Sequence, residues 1–302
     1  MITILAAATA AALAQTDTTI PVRPGARLDV NNFGGSIAVS TWAKSAVRVQ
    51  AEHSSRDRVQ VSGSEAVVSV RSTGRLGPSQ VIDYTITVPV SMALALSGVY
   101  ADITVEGSQG EITAETVQGT VKASGGAGNV SLKSVQGDVT LEKARGRIDL
   151  SSVNETIKAS QISGDVSAET VNGDISLVQI ESANVEANTV NGDIVYDGTI
   201  KDGGRYRFST HDGDLRVSVP EKSNVSISVS TFDGDFSACY PVQLVGPKTK
   251  HRFSFTIGSG SARLELESFN GDIRLCRPGQ LAKDRNEDKD HDQDHDQDHE
   301  EE

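Results

Sequence analysis

The amino-acid sequence predicts an all-β protein, and most of the chain predicts a β-solenoid. Glycine recurs every nine residues over much of residues 108–196, apolar and polar residues alternate inside each unit, and aromatic residues make up only 4% of the chain. Alternation over a few residues is typical of strands, and an interior of Val, Ile, Leu and Ala suits thin β layers. We therefore expect a β-helix-like stack of short strands, with about nine residues per strand–turn unit and about 18 per coil.

Glycine positions set the register of this repeat. Glu155 occupies the place where one glycine is expected, and a one-residue insertion near Ser182 shifts the last regular unit to Gly192. The sequence assigns these glycines to structural repeat turns: Gly110, Gly119, Gly128, Gly137, Gly146, Gly164, Gly173, Gly192, Gly213, Gly234 and Gly271.

Apolar residues follow each glycine at the second, fourth and seventh positions, as Val139, Leu141 and Ala144 follow Gly137. The step from the fourth to the seventh position is odd, so we expect side-chain direction to invert there and the chain to turn a corner. Similar turn sequences return every 18 residues, which predicts two unlike faces per coil and coils about 4.8 Å apart. The alternative is an antiparallel meander, because Asn-Gly favours hairpins, but its strands would be only two or three residues long.

The chain divides into three parts. Residues 1–14 are apolar and end in an Ala-x-Ala site before Gln15, which predicts a signal peptide; the alternative is a ragged start to the domain. Residues 15–279 form the predicted solenoid, with further strands flanking the regular repeats at 108–196. Residues 280–302 predict a disordered acidic, His-rich tail, since 283–302 hold 11 acidic and 3 basic side chains. We expect export to the periplasm, the cell envelope or the extracellular space, and no transmembrane segment in the mature protein.

Four stretches together resemble a bacterial family of repetitive exported β proteins named "putative adhesin", a domain of unknown function. The similarity spans about residues 20–276 and is carried by 31–39 with Trp42, 171–177, 190–194 and 269–275. It implies a cell-envelope or surface location and a role in adhesion. It supplies no catalytic residues.

An aspartate follows the turn glycine in many units, and calcium binding is one interpretation because β-roll repeats bind calcium between turns. Those repeats place several ligands at each corner, whereas here one aspartate per unit occurs and Thr120, Asn129 or Arg147 replaces it. We favour turn chemistry, in which Asp bonds to nearby backbone, and predict no cofactor. The tail offers only weak metal candidates, His291, His295 and His299.

Cys239 and Cys276 each lie five residues after a turn glycine. Stacked repeats would place them in one column, and an exported protein with matched cysteines favours a disulfide. The alternative is two buried free thiols.

No catalytic constellation is visible in the sequence. His53, His211 and His251 are isolated, and outside the tail the net charge is only −5 without a basic stripe, which excludes a nucleic-acid footprint. We predict a non-enzymatic binding scaffold that presents a flat polar β face to a glycan or to an envelope or surface protein. The alternative is a polysaccharide-active β-helix enzyme, a lyase or hydrolase. The predicted binding face consists of Thr113, Lys122, Ser131, Thr140, Lys158, Ser167 and Ser176.

Overall fold

Strands that are 18 residues apart in the sequence pair in parallel. Val139 pairs with Val121 on one side and with Ile157 on the other. This is the stacking that the nine-residue repeat predicts, and it confirms the β-solenoid. The computed structural model describes residues 13–73, 81–242, 244–249 and 251–281. Most of the predicted signal peptide and of the predicted tail, including His291, His295 and His299, lies outside the described residues.

Short strands make up most of the described chain, and they are numbered in chain order. The N-terminal strands are β1 (Leu13–Pro21), β2 (Arg27–Trp42), β3 (Ala46–Ser54), β4 (Arg58–Gly63), β5 (Val67–Thr73), β6 (Ile82–Pro89) and β7 (Ala93–Ser108). The central strands are β8 (Ile112–Gln118), β9 (Val121–Gly125), β10 (Ala127–Gln136), β11 (Val139–Glu142), β12 (Arg145–Ser151), β13 (Ile157–Glu169), β14 (Ile175–Glu181), β15 (Asn184–Asn188), β16 (Ile194–Gly198), β17 (Arg205–Asp212) and β18 (Leu215–Ser218). The C-terminal strands are β19 (Val225–Asp233), β20 (Phe236–Ala238), β21 (Leu244–Thr249), β22 (Arg252–Ile257), β23 (Ala262–Asn270) and β24 (Ile273–Cys276).

Each coil contributes one strand to each of two facing sheets. The first sheet runs β4, β5, β2, β7, β8, β10, β12, β13, β15, β17, β23, β19, β22, β21. The second sheet runs β1, β3, β6, β2, β7, β9, β11, β13, β14, β16, β18, β24, β20. The long strands β2, β7 and β13 bend from one sheet into the other, so they appear in both.

The chain does not follow coil order at its C-terminal end. β17 pairs with β23, and β19 lies beyond β23, so the coil formed by β23 and β24 is inserted between two coils that precede it in the sequence. Antiparallel pairs close both ends of the stack, β1 with β3 and β4 with β5 at one end and β22 with β19 and β21 at the other. Such pairs cover edges that would otherwise accept further strands.

The core lies between the two sheets as columns of small apolar side chains. Ile112, Val130 and Ile148 form part of one column and are at most 1% exposed. Larger rings fill the C-terminal half, where Tyr196 packs on Phe208 with centroids 4.9 Å apart. No helix among the described residues has the length and apolar character needed to cross a bilayer.

The chain makes two kinds of corner in each coil. At one of them the seventh residue of the unit points in a different direction from the one that the sequence predicts, which corrects the position of one apolar residue per coil. Where the second sheet leads into the first, the seventh residue points inward as expected; Ile162 and Ile180 are at most 1% exposed. Where the first sheet leads into the second, inward alternation continues to the sixth residue, so Ser134 is buried and Val135 points outward.

A hydroxyl is tolerated inside this second kind of corner because it finds a backbone acceptor on the preceding coil. Ser134 Oγ donates to the carbonyl oxygen of Gly119 at 2.9 Å, and Thr210 Oγ1 donates to that of Gly192 at 3.0 Å. The same bond recurs from Thr116, Ser152, Thr170, Thr189 and Ser268. Satisfied hydroxyls of this kind stabilise the turn, whereas an unpaired one would cost free energy.

Candidate functional site

An exposed column of apolar and aromatic side chains follows the corner from the first sheet into the second. We call it the corner ridge, and it consists of Val99, Val117, Val135, Val153, Val171, Val190, His211, Phe269 and Phe232 in spatial order. Six of these side chains, among them Val117 and Phe232, are 40–63% exposed. Nine coils at about 4.8 Å make the ridge roughly 38 Å long. A contiguous exposed apolar surface of this kind is typical of an interaction site.

The ridge ends in an aromatic stack. Phe269 packs against His211 and Phe232 with centroids 4.7 Å away in both cases, and the two phenyl rings are 4° from parallel. His251 follows at 6.0 Å from Phe232. Since the ring faces cover one another, the ring edges are what a partner meets. A cavity of about 770 Å³ opens beside the stack, with Ser209, Ser230 and Glu267 among its lining residues.

Amide side chains form a second column next to the ridge. Asn172 Nδ2 donates to Asn154 Oδ1 at 3.1 Å, and Asn191 Nδ2 donates to Asn172 Oδ1 at 2.7 Å. Farther along, Asn270 Nδ2 donates to Asp212 Oδ1 at 2.6 Å. These bonds hold the polar margin of the ridge in a fixed register from coil to coil.

A groove of about 680 Å³ lies on the opposite margin of the outward face of the first sheet. Arg147, Arg205, Arg207 and Arg263 line it. Arg207 is engaged by Glu267, with Nη2 and Oε2 3.4 Å apart. The first sheet therefore presents an apolar margin and an arginine-rich margin on one outward face.

The seven residues of the predicted binding face do not share a face. Thr113, Ser131 and Ser167 lie on the outward side of the first sheet, within β8, β10 and β13. The other four lie on the second sheet, and they are Lys122, Thr140, Lys158 and Ser176. The reason is that successive nine-residue units alternate between sheets, so equivalent positions in neighbouring units face opposite directions.

The aspartates after the turn glycines bond to backbone. Asp193 Oδ1 accepts the backbone N–H of Asp214 at 2.8 Å, and Asp214 Oδ1 accepts that of Asp272 at 2.8 Å. Asp174 and Asp138 bond to the next coil in the same way. Among the described residues, no group of three or more His, Cys, Asp or Glu side chains is arranged to hold a metal ion.

The turn glycines allow close contact between coils. A Cβ on Gly137 would lie 2.0 Å from the carbonyl oxygen of Gly119, and one on Gly213 would lie 2.1 Å from that of Gly192. Near the C-terminal end, a disulfide joins Cys239 to Cys276, with Cα atoms 4.8 Å apart. It links β24 to the residue that follows β20, and so ties together the two coils whose spatial order is inverted.

The sequence contained part of the signal for the ridge, because its valines occupy the seventh position of the repeat. The aromatic stack was missed. His211, Phe232 and Phe269 are far apart in the chain, but each lies two residues before a turn glycine, so the stacking of coils places them in one column, with Phe269 between the other two. The phenylalanines that replace valine in two turn sequences were the available indication.

No curated protein matches the chain. Among solved structures, a "putative adhesin" from Parabacteroides distasonis is 9% identical with a TM-score of 0.43, over 87% of this chain and 97% of that one. A "putative adhesin" from Bacteroides fragilis is 14% identical with a TM-score of 0.39, over 88% and 98%. A "putative lipid binding protein" from Parabacteroides distasonis is 10% identical with a TM-score of 0.36, over 86% and 96%.

These structural likenesses are too distant to assign a ligand. A family profile matches residues 31–276, and so includes the early unit around Asn31, every regular repeat and the final coil. The chain belongs to the Toastrack DUF4097 family.

Proposed function

We propose that this protein is a non-enzymatic binding scaffold of the bacterial cell envelope or surface, and that the outward face of the first sheet is its contact surface. The observation that carries the proposal is the corner ridge, a line of nine stacked side chains in which six apolar ones are 40–63% exposed. Apolar side chains that stay exposed to water do not stabilise the folded chain. A partner that covers them stabilises the complex, because apolar surface is removed from water.

The shape of the ridge indicates the partner. It is one side chain wide, runs along the solenoid axis, and has an amide column along one margin. A long, narrow and amphipathic chain fits this surface, because it can place apolar groups on the valines and polar groups on the amides at every coil. A compact small molecule would contact only one or two coils.

The proposal includes export of the protein from the cytoplasm. The apolar residues 1–14 and the Cys239–Cys276 disulfide both fit a protein that matures outside the cytoplasm. The similarity to proteins named "putative adhesin" agrees with a surface role.

The alternative is a polysaccharide-active enzyme, for which the arginine-rich groove is the best location. Asp165, Glu186 and Glu265 also line this groove. All three project from strands of a continuous sheet, and Asp165 Oδ1 accepts a hydrogen bond from Asn184 at 2.9 Å. An open sheet surface suits binding, because it does not enclose the reacting groups away from water.

A binding comparison tests the proposal. The purified protein is applied to envelope preparations and to arrays of surface glycans and surface proteins, together with the variant Phe232→Ser/Phe269→Ser. The control Val178→Ser/Val195→Ser removes outward apolar side chains from the second sheet instead. We expect the ridge variant to lose at least tenfold in affinity and the control to bind like the parent. Equal binding by all three proteins, or cleavage of any polysaccharide, would overturn the proposal.

A further inference from the structure

Two arginines lie side by side at the arginine-rich margin of the first sheet. Arg205 on β17 pairs in register with Arg263 on β23, and both side chains are exposed on the outward face. Among the described residues, no carboxylate forms an ion pair with either of them. Adjacent parallel strands place their side chains about 4.8 Å apart.

Like charges directly opposite each other destabilise a sheet. The neighbouring column avoids this arrangement, since Arg207 lies between Glu186 and Glu265. The Arg205–Arg263 pair therefore stands out as a place where the free protein keeps an unfavourable repulsion. An anionic group between the two guanidinium groups would remove the repulsion and accept paired N–H donors from both.

The groove extends the pair into a longer site. Arg147 lies three coils from Arg205 in the same column, about 14 Å away. Asp165 and Asn184 lie between these two arginines in the column, and Asp165 Oδ1 accepts a hydrogen bond from Asn184 at 2.9 Å. Ser167 lines the groove in the neighbouring column, and these polar groups offer hydrogen bonds to the uncharged groups of a bound chain. The donors are thus arranged for a chain whose charges are widely spaced and whose remaining groups are polar.

The acidic residues of the groove select among polyanions. A single DNA strand carries one charge per about 3.4 Å, so its phosphates would be forced against Glu186 and Glu265 as well as against the arginines. A chain of acidic sugars spreads its carboxylates or sulfates farther apart, and its hydroxyl groups donate to carboxylates. We propose that the groove around Arg205 and Arg263 binds an acidic polysaccharide along the solenoid axis.

The groove lies at the other margin of the face, so this anion site does not depend on the corner ridge. Its test uses polygalacturonate as the carboxylated chain, dextran sulfate as the sulfated chain, dextran as the neutral chain, and single-stranded DNA. Affinities are measured by titration calorimetry on the purified protein at two salt concentrations. We expect at least one acidic polysaccharide to bind, dextran not to bind, and binding to weaken as salt rises.

The variant Arg205→Ala/Arg263→Ala should lose at least tenfold in affinity for that polysaccharide. Lys122→Ala/Lys158→Ala changes the net charge equally on the second sheet and should retain the parental affinity. The single variant Arg263→Gln should also raise the melting temperature without ligand, since it removes the repulsion. Failure of both acidic chains to bind, equal loss in the two double variants, or tighter binding of DNA would overturn the inference. Cleavage of a bound polysaccharide would contradict the non-enzymatic proposal and leave the anion site in place.

Discussion

Phe232 stacks on Phe269 with ring centroids 4.7 Å apart, although Phe269 comes 37 residues later and lies one coil closer to the N-terminal end. Phe269 in turn covers His211. The contact therefore joins three coils that the chain does not visit in spatial order, and it turns the end of the corner ridge into an ordered aromatic surface.

We expect a measurable coupling between these two rings. In a double-mutant cycle with Phe232→Ala and Phe269→Ala, the coupling free energy should be about 0.5–1.5 kcal/mol, as for other stacked aromatic pairs. Urea unfolding measures it. The pair Phe232→Ala and Val117→Ala is the control, since the two residues are several coils apart and their effects should add within about 0.5 kcal/mol. A vanishing coupling for the two rings would mean that the stack is not formed in solution.

The contribution of a corner hydroxyl to stability should depend on whether the hydroxyl has a hydrogen-bond acceptor. Thr210→Val removes a buried hydrogen bond to Gly192 and should lower the free energy of unfolding by about 1 kcal/mol. Thr231 occupies the same position in the outer coil, but its buried hydroxyl has no partner among the described residues. Thr231→Val should leave stability unchanged or raise it. Equal losses in the two variants would contradict this explanation of the buried hydroxyls.

Gly137 is expected to tolerate no side chain. Its φ is +155°, and an added Cβ would lie 2.0 Å from the Gly119 carbonyl oxygen. Gly137→Ala should therefore lower the free energy of unfolding by more than about 3 kcal/mol. Gly203 also has a positive φ, +73°, but no heavy atom lies within 4 Å of its added Cβ. Gly203→Ala should lower the free energy of unfolding by only about 1–2 kcal/mol, which is the cost of the left-handed backbone conformation without any steric clash. Thermal and urea unfolding distinguish the two; similar losses would show that coil contact is unimportant.

The disulfide should stabilise the C-terminal coils. Closing a loop between Cys239 and Cys276 contributes about 4 kcal/mol in the chain-entropy description. Reduction, or Cys239→Ser/Cys276→Ser, should therefore lower stability, and hydrogen exchange should accelerate first in β19 to β24. Intact mass before and after reduction gives the bond directly. Two alkylatable thiols in the unreduced native protein would refute it.

Alkaline pH should destabilise the fold through its buried tyrosines. Burial raises the pKa of Tyr84 and of Tyr240 to about 12, and burial also raises the pKa of Tyr196 and Tyr206. Unfolded tyrosine ionises near pH 10, so the unfolded chain releases these protons first. The free energy of unfolding should be constant below about pH 10 and fall between about pH 10 and 12. Tyr84→Phe should make this decline shallower, as monitored by urea unfolding across the range; an unchanged decline would exclude Tyr84 as a contributor.

The repeat predicted the fold because one rule, apolar side chains inward on short strands, acts identically in every coil. This rule failed at the corner beside Ser134 and Val135. Residue type suggested that Val135 would be buried and Ser134 exposed, and the structure has the reverse. A backbone carbonyl on the preceding coil makes the serine an acceptable inward residue, and such an acceptor exists only once the coils are stacked.

The contact surface was less predictable than the fold. Lys122 and Ser131 occupy similar places in their units, yet they point to opposite sides because the units belong to different sheets. The pairing of Arg205 with Arg263 was hidden for another reason: β23 reaches β17 only by insertion between coils that precede it. Local periodicity carries no information about such an insertion.

The inverted coil order has a consequence for synthesis. As the chain emerges, coils up to β17 and β18 can be added one at a time, each on the edge of the last. The next segment, β19 and β20, cannot take its place until residues 262–276 have been made, since those residues are its neighbours on both sheets. The segment from β19 to β24 thus assembles as one late cooperative step. Until residues 262–276 have been made, the edge of β17 stays unpaired.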